Sequence, residues 1–318
     1  MNMMISALAA VVAVLAAAVM GFAIQRGATC AVAAVDEVVN RRGYARLLAM
    51  VEAALWVAVG LVVALQLQWL GALPQGHAFT LWTLFGAVML GLGAFVNRAC
   101  VFGAIARLGS GEWAYAATPV GYYCGCLSVG SLFGAPMSPV VSSAPLMLSA
   151  AGGALWLLLP LMAWRFYKLF WRSGNARWSV VSQAVWSPHG ATIVIGFAFL
   201  ITLLLVKVWA YTDVLAQLAH GMSESLPVRI VMALALLLGA MVGGYTAGRM
   251  RWSGVSVGMI ARCFIGGILM AWGSLLIPGS NDGLILVGMP LLWPYAWGAF
   301  LTMCLTIAMA QFVQKRFT

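Results

Sequence analysis

Apolar residues run through this chain in blocks of membrane length. A helix rises 1.5 Å per residue, so about 20 apolar residues cross a bilayer core of about 30 Å. Blocks of that kind are read at 3–25, 45–70, 79–97, 113–134, 146–169, 189–211, 227–248, 256–277 and 293–314. Three further apolar segments, 28–40, 99–109 and 280–290, are too short to cross. Each begins at a Gly, Pro or small-residue break. That is the pattern of a re-entrant half-helix, because irregular backbone at membrane depth survives only where it is buried in protein or lines a cavity. The pattern predicts an all-α integral membrane protein with about nine transmembrane helices plus short re-entrant half-helices.

The blocks repeat. Residues 86–115 lie over 266–295 at a constant offset of 180, without a gap. Gly86 meets Gly266, Gly93 meets Gly273, Gly103 meets Gly283 and Cys100 meets Ser280; Trp113 and Tyr115 meet Trp293 and Tyr295. Span 79–97 is read as running inward and span 256–277 outward, so the two copies are expected upside down relative to one another. Such inverted repeats with broken helices place a path near the midplane, at the repeat interface. The expected layout is a single membrane domain of two halves, about 1–145 and 146–318. The polar stretch 170–188 is its longest cytoplasmic connection.

Composition strengthens this picture. The chain is 64% hydrophobic and only 8% charged, against about 45–50% and about 25% in ordinary soluble domains. The net charge of +10 is not a nucleic-acid signal, because no basic stripe interleaved with aromatics exists. It reads as topology. Cytoplasmic loops carry the excess of Lys and Arg. With the N-terminus outside, the inner side collects Arg26, Arg41, Arg42, Arg46, Arg107, Arg165, Lys168, Arg172, Arg177, Arg249, Arg251, Arg262, Lys315 and Arg316. The outer side collects only Lys207 and Arg229. The first apolar run has no basic residue before it, unlike a secretory signal. A bacterial inner-membrane protein with its C-terminus in the cytoplasm is expected. Asp36 and Glu37 are expected to balance Arg41 and Arg42.

The breaks carry the candidate chemistry. The N-terminus of a short helix offers free N–H donors and the positive end of its dipole, which favours an anion. Arg98 adds a charge beside one break, and charges within spans default to functional hypotheses. In `PGSNDG`, Pro278 ends one helix, Gly279 permits close approach and Ser280 is placed to cap the next short helix. Asp282 either pairs with Arg98 or points away from the path. Thr29 is placed to cap the short segment that Cys30 opens. Cys30 and Cys100 share a setting, each at a small-residue break before a short helix. A thiol is a soft, weak donor suited to sulfur-containing partners. The remaining cysteines, Cys124, Cys126, Cys263 and Cys304, read as packing residues. No CxxC pair exists and His is scarce, so neither a metal nor another cofactor is expected.

The stretches `GFAIQRGATCAVAAVDEVV`, `GAVMLGLGAFVNRACVFGAIARLGSGEW` and `GGILMAWGSLLIPGSNDGLILVGMPLL` resemble the YeeE/YedE family of sulfur-transport membrane proteins. The resemblance spans both halves. It implies an hourglass-shaped inverted-repeat bundle that takes up thiosulfate, passing the ion between thiols by transient hydrogen bonds. It also implies, among relatives, selenium handling or a cytosolic TusA-like sulfur carrier. Carried over, the path cysteines are Cys30 and Cys100. The third is expected in a Gly-Cys-x-x-Gly setting, where this chain has Gly279-Ser280-Asn281-Asp282-Gly283. Ser280 thus replaces a cysteine with a stronger donor, which leaves thiosulfate or another sulfur or selenium compound open. The expected path residues are Cys30, Cys100, Ser280, Gly279, Asn281, Gly103, Gly283 and Arg98. The expected partners are the small sulfur-containing anion, a TusA-like carrier and membrane lipid.

Two other classes compete with a permease. A disulfide-exchanging redox enzyme needs a paired dithiol, and `CGC` at 124–126 points its side chains apart on a helix. A passive scaffold for a sulfur carrier could use the basic stretch 170–188, but leaves the two internal breaks without purpose. No GxxxxGK[ST] run is present in the sequence, and the pattern leaves proton- or gradient-coupled transport and facilitated flow open.

Overall fold

The computed structural model describes residues 2–70, 73–134, 139–141, 156, 159–160, 162–167, 185–221, 226–250 and 254–317. Six helices come from the first part of the chain: α1 (Asn2–Gly27), α2 (Ala31–Arg41), α3 (Ala45–Gln66), α4 (Leu81–Asn97), α5 (Val101–Gly109) and α6 (Ala117–Phe133). After Pro188 come α7 (Pro188–Val206), α8 (Tyr211–His220), α9 (Leu226–Thr246) and α10 (Val257–Leu276). The last two are α11 (Asn281–Gly283), which runs on as a π-helical turn (Leu284–Gly288), and α12 (Pro294–Phe317). Two-residue strands, β1 (Gly76–His77) and β2 (Val140–Val141), pair antiparallel.

Among the described residues, seven helical segments are long and apolar enough to cross a membrane. The expected span 113–134 divides into a 3-10 turn, Trp113–Ala116, and the 17-residue α6. The expected span 146–169 and the connection 170–188 lie largely outside the described residues. A short helix the hydropathy pattern missed is α8. Its Asp213 and Gln217 break the apolar run, so it reads from sequence as a span end and a loop. Large apolar side chains such as Leu8, Leu15, Leu81, Leu238, Leu305 and Met309 are exposed. This is the outer surface of a protein whose solvent is lipid.

The helix starts have local causes. Thr80 and Thr83 form a reciprocal capping box on α4. Ser187 accepts from Gly190 N–H ahead of Pro188 at the start of α7, and Ser256 accepts from Met259 N–H to open α10. Such caps contribute about 1 kcal/mol each.

Close helix packing needs small residues, because between lipid-embedded helices the association comes from backbone approach and van der Waals contact. The α4–α10 pair shows it. A Cβ on Gly86 would lie 2.9 Å from the Gly273 carbonyl oxygen, and one on Gly93 would lie 2.9 Å from that of Gly266. These are the glycines that align at an offset of 180, each meeting the partner of the other. Around this pair, α6 packs on α10 and α12 on α4, while α1 packs on both α9 and α7 and α3 packs on α7. The short helices keep the same interval: α2 begins at Ala31 and α8 at Tyr211, α5 at Val101 and α11 at Asn281.

Candidate functional site: short-helix ends around two thiols

Cys30 and Cys100 stand at the N-caps of α2 and α5, both in extended backbone (φ −155° and −74°). Each thiol accepts from the start of the other's helix. Ala31 N–H donates to Cys100 Sγ at 3.1 Å, and Cys100 N–H donates to Cys30 Sγ at 3.4 Å. Neither serves as its own helix's side-chain cap. Thr29, expected to cap this helix, makes no hydrogen bond through its buried hydroxyl. The chain enters each thiol through a left-handed residue two positions earlier, Ala28 (φ 46°) and Arg98 (φ 57°). Non-glycine residues there cost about 1–3 kcal/mol each, strain that gathers where the backbone is fixed for a purpose. Buried Asn97 holds the second turn. Its Nδ2 donates to the Ala99 carbonyl at 2.8 Å, and its Oδ1 accepts from Thr118 Oγ1 at 3.0 Å. Gly103 leaves room for Cys30: a Cβ there would come 3.0 Å from Cys30 Cβ and closer still to its sulfur.

Cys30 lines a cavity of about 480 Å³. Arg46, Arg98, Arg107 and Arg249 line it, against Asp36 and Glu112. Arg107 is held by Glu112 at 3.0 Å and stacks over Tyr115. Arg98 is exposed within this cavity, so it does not pair with Asp282. Glu37 pairs with Arg46 at 3.7 Å, and Asp36 accepts from Asn40 Nδ2. The expected balance of these acids by Arg41 and Arg42 is thereby corrected: Glu37 meets Arg46 at the start of α3, and Asp36 meets Asn40 on its own helix. Gln25, only 1% exposed, donates to Ser110 Oγ at 3.3 Å and leaves its Oε1 without a partner on the cavity wall.

Ser280, Asn281, Asp282 and Gly283 form a second group at the start of α11. The Ser280 hydroxyl meets Thr212 Oγ1 at 2.9 Å and donates to the Asp282 carboxylate, which also accepts from Gly283 N–H at 3.0 Å. Ser280 is the N-cap residue, but its hydroxyl makes no cap bond because Asp282 and Thr212 take it. Asn281 is fully buried, and neither its Oδ1 nor its Nδ2 is hydrogen bonded. Gly279 N–H donates to the Ser274 carbonyl at 2.8 Å, closing α10. Tyr211 links the groups: from the start of α8 its hydroxyl donates to the Val101 carbonyl on α5 at 3.4 Å.

The expected residues thus fall into two neighbouring sets. Cys30, Cys100 and Gly103 touch, with Arg98 at the cavity beside them; Ser280, Asn281 and Gly283 gather on α11, with Gly279 in the turn before it. The arginines were legible only as topology markers, because nothing in the sequence says that Arg46, Arg107 and Arg249 share a cavity. Tyr211 and Thr212 were missed with α8. Their signal was their interval of 180 from Ala31 and Val32.

A model of the sulphur transport family matches residues 26–309, which contain both groups. No curated protein matches the chain. The match takes in every helix from α2 to α11, and with seven apolar spans behind it the chain belongs to the YeeE/YedE sulphur transport family of multi-pass membrane proteins.

Proposed function

We propose that the chain is a permease for a small sulfur-containing anion, thiosulfate first among them, which passes between thiol and hydroxyl donors at the starts of α2, α5 and α11. The observation that carries this reading is the reciprocal Cys30–Cys100 arrangement, with Cys30 on the wall of an arginine-lined cavity. Two helix starts each aim an N–H at the other's thiol, and a bound anion would replace those acceptors. Sulfur–sulfur contact suits the soft end of thiosulfate, and N–H donors suit its oxygens. No covalent step is needed, so the protein acts by binding and release rather than as an enzyme.

In this reading the path sits between two inverted halves, about 1–145 and 146–318. Support comes from the α4–α10 glycine contacts and from the common interval of the short helices. The N-terminus is outside and the C-terminus in the cytoplasm of a bacterial inner membrane, as the charge bias favours. The arginine-lined cavity then opens inward, where a TusA-like sulfur carrier would collect the ion. Thiosulfate uptake by purified protein in liposomes tests the reading. Uptake without any partner is expected. Uptake that appears only with a cytosolic carrier present would instead favour the scaffold.

A further inference from the structure

Two carboxylates lie in the half of the molecule opposite the cysteines, and anion passage gives them no role. Asp213 on α8 and Asp282 on α11 line one cavity of about 10 Å³, with Trp209, Ala210 and Gly283. Roughly one water molecule fits such a space. At the positions 180 residues earlier stand Ala33 and Phe102, so the acids belong to this half alone.

Their surroundings leave a charge uncompensated. Asp282 takes hydrogen bonds from Ser280 and from Gly283 N–H, with the Thr212 hydroxyl beside it. Neither acid makes an ion pair with a basic residue among the described residues. From α9 the cation that acts on Asp213 is Arg229, whose Nε is itself buried without a hydrogen-bond partner. From α6 the facing groups are Tyr122 and Cys126, and from α8 itself Tyr211 and Thr212. With both acids ionised and Arg229 charged, the set carries one net negative charge in a weakly polarisable interior. Two carboxylates sharing such a site do not readily ionise together. A single proton makes the set neutral.

A separate observation points to a guest that comes and goes. Asn281, between Ser280 and Asp282, is 0% exposed with both amide atoms unpartnered. An amide buried so costs about 1–3 kcal/mol until something fills its bonds.

We propose that Asp213 and Asp282 hold one proton that travels with the anion, making the protein a proton-coupled symporter. Ionisable residues at membrane depth serve as proton relays in pumps and transporters. The carboxylate pair holds the proton before the anion reaches the helix ends, both leave on the same side, and the pair then takes up another proton to return to its starting charge. The small cavity and its few oxygens favour a bare proton over a hydrated metal cation. This inference rests on the proposed transport of a sulfur-containing anion.

The test uses the full chain in proteoliposomes with thiosulfate as the probe. An inward proton gradient is expected to speed uptake several-fold, and an equal inward sodium gradient to leave it unchanged. Thiosulfate addition should acidify the lumen, and Asp213→Asn and Asp282→Asn should lose the acceleration. Acceleration by sodium alone, or Asn variants that respond to the proton gradient like the parent, would overturn the proposal. A second readout needs no substrate: the infrared C=O stretch of a protonated carboxyl in the purified protein at neutral pH. It should be present in the parent, shifted in Asp282→Glu and absent in Asp282→Asn. A missing band in the parent overturns the proton site even if thiosulfate is carried. A band without thiosulfate uptake would sink the transport reading and leave the proton site standing.

Discussion

Cys30 and Cys100 each accept an N–H from the start of the other's helix. Truncation of Cys100 to Ala removes the acceptor for Ala31 N–H and, on the proposed path, one donor to the ion. The loss of about 1 kcal/mol of hydrogen bonding predicts several-fold slower uptake with the fold intact. Ser280→Cys should keep or raise uptake, because Thr212 still has a partner at that position; a loss as large as that of Cys100→Ala would remove Ser280 from the path. Gly103→Ala crowds Cys30, and overpacking of this kind costs about 1–3 kcal/mol. A lower melting temperature together with reduced uptake is expected, and unchanged values for both would show that Cys30 is not held by this contact. At this scale the place of Cys30, Cys100 and Ser280 at helix starts was legible, because each marks a break in an apolar run. Of the two readings open for Asp282, the structure favours the one without Arg98: its partners are its neighbour Ser280 and the Gly283 backbone.

Between elements, backbone approach decides the architecture. Gly93→Val would drive a branched side chain into the Gly266 carbonyl and the Met270 backbone of α10, 2.9 Å and 2.7 Å from a Cβ. Destabilisation of at least about 1–3 kcal/mol is expected, read as a fall in melting temperature in detergent. Gly130, which has nothing within 4 Å of such a Cβ, provides the control: Gly130→Ala should melt like the parent, and equal losses at the two sites would discount the α4–α10 contact. The glycine spacing was visible in sequence as a repeat, yet its meaning was not, because only the crossing of α4 and α10 brings Gly86 to Gly273. The helix α8 escaped for a physical reason. A short helix shielded by neighbours needs no continuous apolar run, so hydropathy reads its Asp213 and Gln217 as a loop.

At the scale of the molecule, the proposed orientation places β1 and β2 outside and the end of α12 inside. In a chain whose native cysteines are replaced, Gln75→Cys should react with a membrane-impermeant maleimide on intact cells. Gln314→Cys should react only after the cells are opened. The reverse pattern would invert the protein and turn the arginine-lined cavity outward. The apolar exterior and the charge bias were both legible from composition, since lipid rather than water is the solvent for most of this surface. The cavity was not, because it is assembled from residues on α1, α2, α3, α5 and α12 that are far apart in the chain.

Thiosulfate uptake by transport-deficient cells expressing the parent, Cys30→Ala, Cys100→Ala and Ser280→Cys tests the central claim most directly. The account predicts uptake by the parent, a several-fold fall in each alanine variant at equal expression, and retained or faster uptake in Ser280→Cys. Parent-like uptake by both alanine variants would contradict a path that runs between the two thiols.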